Sequence, residues 1–116
     1  MKKVYLLTVI ITGFLLASCE SRTYDEVEGF VANPTYAKNI KPLIDSKCNT
    51  CHAAQVTDEL GGGTILDTYD EFRSSVEYGN TLRDIDTIRS MPKNSAPLTK
   101  GQIKLIYAWK NTGFPQ

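Results

Sequence analysis

Cys48-Asn49-Thr50-Cys51-His52 sets two thiols three residues apart and puts the chain's single imidazole directly behind the second. On one helical turn, residues at i and i+3 share a face, so both sulfurs can bond to one flat partner while the following ring reaches its centre. The 116-residue sequence has only three cysteines, one histidine and two methionines. Randomly placed, two cysteines and a histidine would fall into this order on the order of two times in ten thousand, so the spacing is a specific signal.

Cys-x-x-Cys-His is the pattern of c-type haem attachment. Cys48 and Cys51 would each form a thioether to a haem vinyl group, and His52 would be the proximal ligand of the iron. Three other readings stand beside it. A structural zinc site wants four ligands, so a carboxylate would have to join the two cysteines and the histidine. A thioredoxin-like redox pair belongs beside a βαβ pattern, and no strand alternation surrounds this one. A structural disulfide is allowed in an exported protein but leaves His52 without a part. If haem is bound, Met91 is the remaining methionine once the initiator is set aside, and no second histidine exists. In Ser90-Met91-Pro92 the proline biases Met91 toward extended backbone, as a loop across the distal haem face would need. A gap-filling core methionine, an open sixth position and lysine ligation are the alternatives.

Thirteen Lys and Arg balance thirteen Asp and Glu, which argues against a nucleic-acid binder needing a basic surplus. Lys2 and Lys3 precede an apolar run from Val4 to Ala17, followed by Ser18-Cys19. The pattern resembles a bacterial lipoprotein signal, which implies removal of residues 1–18 and acylation of Cys19, anchoring the protein to a bacterial membrane. A transmembrane helix is the weaker alternative, because fourteen residues cover only about 21 Å of a hydrocarbon core about 30 Å thick. In a plain secretory signal Cys19 would stay a thiol. Without Lys2 and Lys3 the remaining chain has 11 basic against 13 acidic residues, a net charge of −2. Residues 19–33, with Asp25, Glu26 and Glu28, read as an acidic tether spanning roughly 20 Å root-mean-square.

Residues 34–116 read as all-α, with about four short helices. Tyr36, Ile40, Leu43 and Ile44 form one apolar stripe leading into Cys48. Pro42 interrupts it and sets the helix start near Asn39 as cap, with a longer helix kinked at Pro42 as the alternative. Ala53 to Asp67, including Gly61-Gly62-Gly63, reads as a loop. Thr68 to Glu71 is a capping box opening a helix with Phe72 and Val76, stopped at Gly79. Leu82, Ile85 and Ile88 mark a shorter helix. Thr99 to Gln102 is a second capping box, opening a helix with Ile103, Ile106, Tyr107 and Trp109 that closes at Gly113. So few helices make a thin core, and a buried haem would supply much of the apolar centre.

Cys48 to His52, Ser90-Met91-Pro92-Lys93 and Leu98-Thr99 leading into Ile103 to Gly113 together resemble a class I monohaem cytochrome c domain, of the short bacterial lipoprotein type. The resemblance implies a bundle around one covalent haem c, in which an N-terminal helix ending at the haem motif packs across a C-terminal helix. It implies histidine–methionine axial ligation by His52 and Met91, with no open site for a substrate. The expected activity is therefore electron carriage and not catalysis, as a carrier or as a subunit of an oxidoreductase complex, serving redox proteins near the membrane in the periplasm or at the cell surface. Many class I members orient the proximal histidine with a proline carbonyl in the loop after the motif, and Ala53 to Asp67 has no proline. Arg89, Tyr107 and Trp109 are candidate donors to the haem propionates, against ordinary roles on a solvated face or in the core. Two other functions remain open: a five-coordinate haem sensor or oxidoreductase subunit, and a haem-free, disulfide-closed lipoprotein acting as a binding module.

Overall fold

The structure is a computed structural model that describes residues 31–116. The expected leader at 1–18, Cys19 and residues 19–30 of the expected tether lie outside the described residues. Among the described residues the chain is helical and has no strand, with four α-helical segments and three π turns. The α-helices are α1 (Lys41–Lys47), α2 (Asn49–His52), α3 (Tyr69–Glu77) and α4 (Lys100–Asn111). The π turns are Tyr36–Ile40, Thr57–Gly61 and Arg83–Thr87.

The first helical stretch starts earlier than Asn39. Thr35 is the cap, its hydroxyl accepting the Lys38 N–H while Asn39 Oδ1 accepts the Thr35 N–H at 3.0 Å. Asn39 thus serves the cap from inside the first turn. Pro42 sits in the first turn of α1, as expected, with Ile40 and not Asn39 as the residue that caps it. Its ring would press on the carbonyl four residues back in a regular α-helix, and it has no N–H to offer. The π turn ahead of it bonds Ile40 to Thr35 and Lys41 to Tyr36. That wider turn brings Pro42 into the opening of α1 without losing the apolar stripe. Tyr36, Ile40, Leu43 and Ile44 are all buried.

Both expected capping boxes form. Thr68 and Glu71 exchange side chain and backbone at the start of α3, and Thr99 and Gln102 do so at the start of α4. Each satisfies two N–H groups that a helix start leaves without partners. The stretch containing Leu82, Ile85 and Ile88 is a π turn instead of a regular helix. Its Ile88 N–H bonds to Arg83 O at 2.8 Å. The extra residue per turn carries Ile88 off the apolar face, so Ile85 is buried while Ile88 is 57% exposed. The expected loop over Ala53 to Asp67 likewise contains the second π turn.

The core is organised around Trp109, which is wholly buried. Tyr36, Tyr69, Phe72 and Phe114 surround its ring at centroid distances from 4.8 to 6.0 Å. Such edge and offset ring pairs add roughly 0.5–1.5 kcal/mol each to the area they bury. The Trp109 indole N–H and the Tyr36 backbone N–H both donate to Pro115 O at 2.8 Å. This shared carbonyl ties the chain end to the first helical stretch and holds the stretch leading to Cys48 against α4. The Tyr36 hydroxyl is buried with no hydrogen-bond partner, and burial pushes its pKa above the ordinary value.

Candidate functional site

The Cys48–His52 segment folds as one turn. Cys48 caps α2, and its carbonyl accepts the N–H groups of both Cys51 and His52 at 3.0 Å. Both cysteines are free thiols. Cys48 packs against the core cluster, and desolvation pushes its thiol up to about 11. It is therefore a protonated, apolar sulfur at neutral pH, unlike the low-pKa thiolate of a redox-active pair. Among the described residues no three His, Cys, Asp or Glu side chains converge as a metal-ion site.

A carbonyl twelve residues downstream fixes the orientation of His52. Its Nδ1 lies 2.8 Å from Thr64 O. A carbonyl oxygen only accepts, so Nδ1 carries the proton and the lone pair belongs to Nε2, the nitrogen left for a metal. The backbone of Thr64 thus fixes the ring's orientation. Leu66 N–H returns a bond to His52 O at 2.9 Å, locking the two segments together. Thr57, buried in the second π turn, donates its hydroxyl to the same Thr64 oxygen at 2.8 Å. Gly61 closes the knot. A Cβ there would meet the Cys51 carbonyl oxygen, Thr57 Oγ1 at 2.6 Å and His52 Nδ1 at 3.0 Å. Glycine is required by close approach and not by a left-handed backbone.

Met91 comes from a separate segment, the loop between the third π turn and α4. It lies half-buried in non-helical backbone and packs against the same apolar cluster as Cys48. Its N–H donates to Asp84 O at 3.2 Å, tying the loop to the third π turn. The Tyr107 hydroxyl donates to Asp86 Oδ2 at 3.1 Å and joins that turn to α4. Arg89 donates to Leu98 O at 3.4 Å across the loop. Of the three candidate propionate donors, Trp109 is turned inward, its N–H held by Pro115 O. Tyr107 is engaged with Asp86, and Arg89 keeps further N–H groups on an exposed guanidinium.

These residues fit a covalent haem. Two free thiols and an imidazole with a fixed tautomer share one turn, and Cys48, Leu82, Met91, Leu105 and Tyr107 each pack half-buried against the core. Reasoning from sequence missed Thr57, Gly61 and Thr64. Gly61-Gly62-Gly63 was the one visible sign of a close backbone approach. No protein-family model, no curated protein and no solved structure matches this chain.

Proposed function

We propose that this protein is a monohaem c-type cytochrome that carries single electrons between redox proteins at a bacterial membrane, anchored there by an acylated Cys19. The observation that carries the reading is the hydrogen bond from His52 Nδ1 to Thr64 O on the turn that also bears Cys48 and Cys51. It leaves Nε2 as a ready ligand and raises its basicity.

Bound haem supplies a one-electron Fe(III)/Fe(II) couple. Cys48 and Cys51 would hold the macrocycle by thioethers, and His52 would bind the iron through Nε2. Met91 would supply a thioether to the iron, a ligand that favours the reduced metal. The core beneath the site excludes water from one side and lowers the local dielectric. The described residues contain no helix long and apolar enough to cross a membrane, and attachment to the bilayer would fall to Cys19.

Haem staining after denaturing electrophoresis tests the reading, on protein made with a c-type maturation system. A coloured band that persists after boiling in detergent is expected, and a colourless band ends the cytochrome reading. Met91→Ala is then expected to abolish the sulfur-to-iron charge-transfer band of the oxidised protein. An unchanged band removes Met91 as ligand and returns the five-coordinate or lysine-ligated alternatives.

A further inference from the structure

We infer that Thr57 is a positioning residue for His52, its hydroxyl competing for the Thr64 carbonyl and so grading the hydrogen bond that the imidazole makes. The inference rests on the haem reading above. Thr57 is a polar residue inside an otherwise apolar buried set, 3% exposed. Burying a hydroxyl costs free energy unless it is bonded, and this one bonds to the carbonyl that orients His52, seven residues away. Thr64 O has two lone pairs, and its two donors, His52 Nδ1 and Thr57 Oγ1, each lie at 2.8 Å.

Two donors on one oxygen divide its electron density. With the hydroxyl present, the carbonyl is a weaker acceptor for the Nδ1 proton, and the imidazole acquires less anionic character. Nε2 is then a weaker donor to iron, which favours the reduced state in the same direction as a methionine ligand. The hydroxyl also keeps the carbonyl aimed at the ring, because Thr57 is itself held by Gly63 N–H on its own carbonyl at 3.1 Å. Gly61 leaves room for both donors. Thr57 touches neither iron nor macrocycle in this account and acts through His52 alone.

The test uses Thr57→Val and Thr57→Ser in the haem-loaded full chain. Valine keeps the shape and leaves Thr64 O with His52 as donor, so the carbonyl keeps a partner. Thr57→Val is expected to move the His52 Nδ1 proton downfield in the NMR spectrum of the reduced protein. It should also lower the midpoint potential, by roughly a fivefold change in the reduction equilibrium constant. Thr57→Ser is expected to restore both. An unmoved proton and potential in Thr57→Val overturn the inference, even if stability falls, since that is the signature of a purely structural hydroxyl. An upfield proton, a raised potential, or failure of Thr57→Ser to restore the wild-type values overturns it as well. A chain that never attaches haem overturns the cytochrome reading together with this inference, whereas attached haem with unmoved readouts overturns the inference alone.

Discussion

Gly61→Ala is the most demanding test of the geometry around His52. The added methyl falls on the Cys51 carbonyl oxygen, 2.6 Å from Thr57 Oγ1 and 3.0 Å from His52 Nδ1. Neither the Cys51 carbonyl nor the imidazole is the free end of a flexible chain, because both belong to the hydrogen-bonded turn of α2. Relief requires the π turn to move away from α2, which strains or breaks the bonds of Thr57 and His52 to Thr64. Overpacking costs about 1–3 kcal/mol and a weakened hydrogen bond about 1 kcal/mol, so the expected loss is about 3 kcal/mol. For a domain of this size that is a fall in Tm of roughly 12–24 °C. Gly62→Ala is the control. Nothing lies within 4 Å of its added methyl, and its φ of +61° costs only backbone strain, about 1 kcal/mol. Thermal and urea unfolding followed by circular dichroism, with both variants in the same haem state, gives the comparison. If Gly61→Ala costs no more than Gly62→Ala, the close approach of the π turn to His52 is wrong.

Three further outcomes follow from the same structure. Thr68→Ala removes the hydroxyl half of the capping box at α3 and is expected to cost about 1 kcal/mol, read by urea unfolding. Tyr36→Phe removes a buried hydroxyl that has no partner, so it is expected to be neutral or to stabilise by up to about 1 kcal/mol, and a clear loss of stability would reveal a bond to that oxygen. Before haem attachment, the Cys48 thiol is held up at about 11, above its unfolded value. Its contribution to stability is then complete below the unfolded pKa and is lost as pH rises toward 11. Unfolding of haem-free protein between pH 8 and 11 should show this loss relative to Cys48→Ala, and the haem-bound form should lack it, because a thioether does not titrate.

Much of the architecture was legible because it is local. The boxes at Thr68–Glu71 and Thr99–Gln102 are written in residues three apart, and each opens the helix that the following apolar stripe requires. Tyr36, Ile40, Leu43 and Ile44 fall on one face because helical periodicity alone dictates it. Where the structure departs from expectation, the cause is the π turn. Regular helical spacing put Ile88 in line with Leu82 and Ile85, and Pro42 put the helix start near Asn39. An extra residue per turn exposes Ile88, and a π turn capped by Thr35 precedes α1, in whose first turn Pro42 lies.

The candidate site divides in the same way. Sequence by itself determined the turn that carries Cys48, Cys51 and His52, since a spacing of three and four residues on a helix leaves no other arrangement. It also supplied a methionine held out of helical backbone by the following proline. Only the tertiary structure decided which nitrogen of His52 keeps its proton, which carbonyl holds it, and why Thr57 and Gly61 stand beside it. It likewise turned the Trp109 N–H inward to Pro115 O and away from any bound group. Those outcomes depend on backbone groups, which every residue type carries alike, meeting side chains across the fold after the chain has reversed. No pattern of residue types records such a meeting in advance.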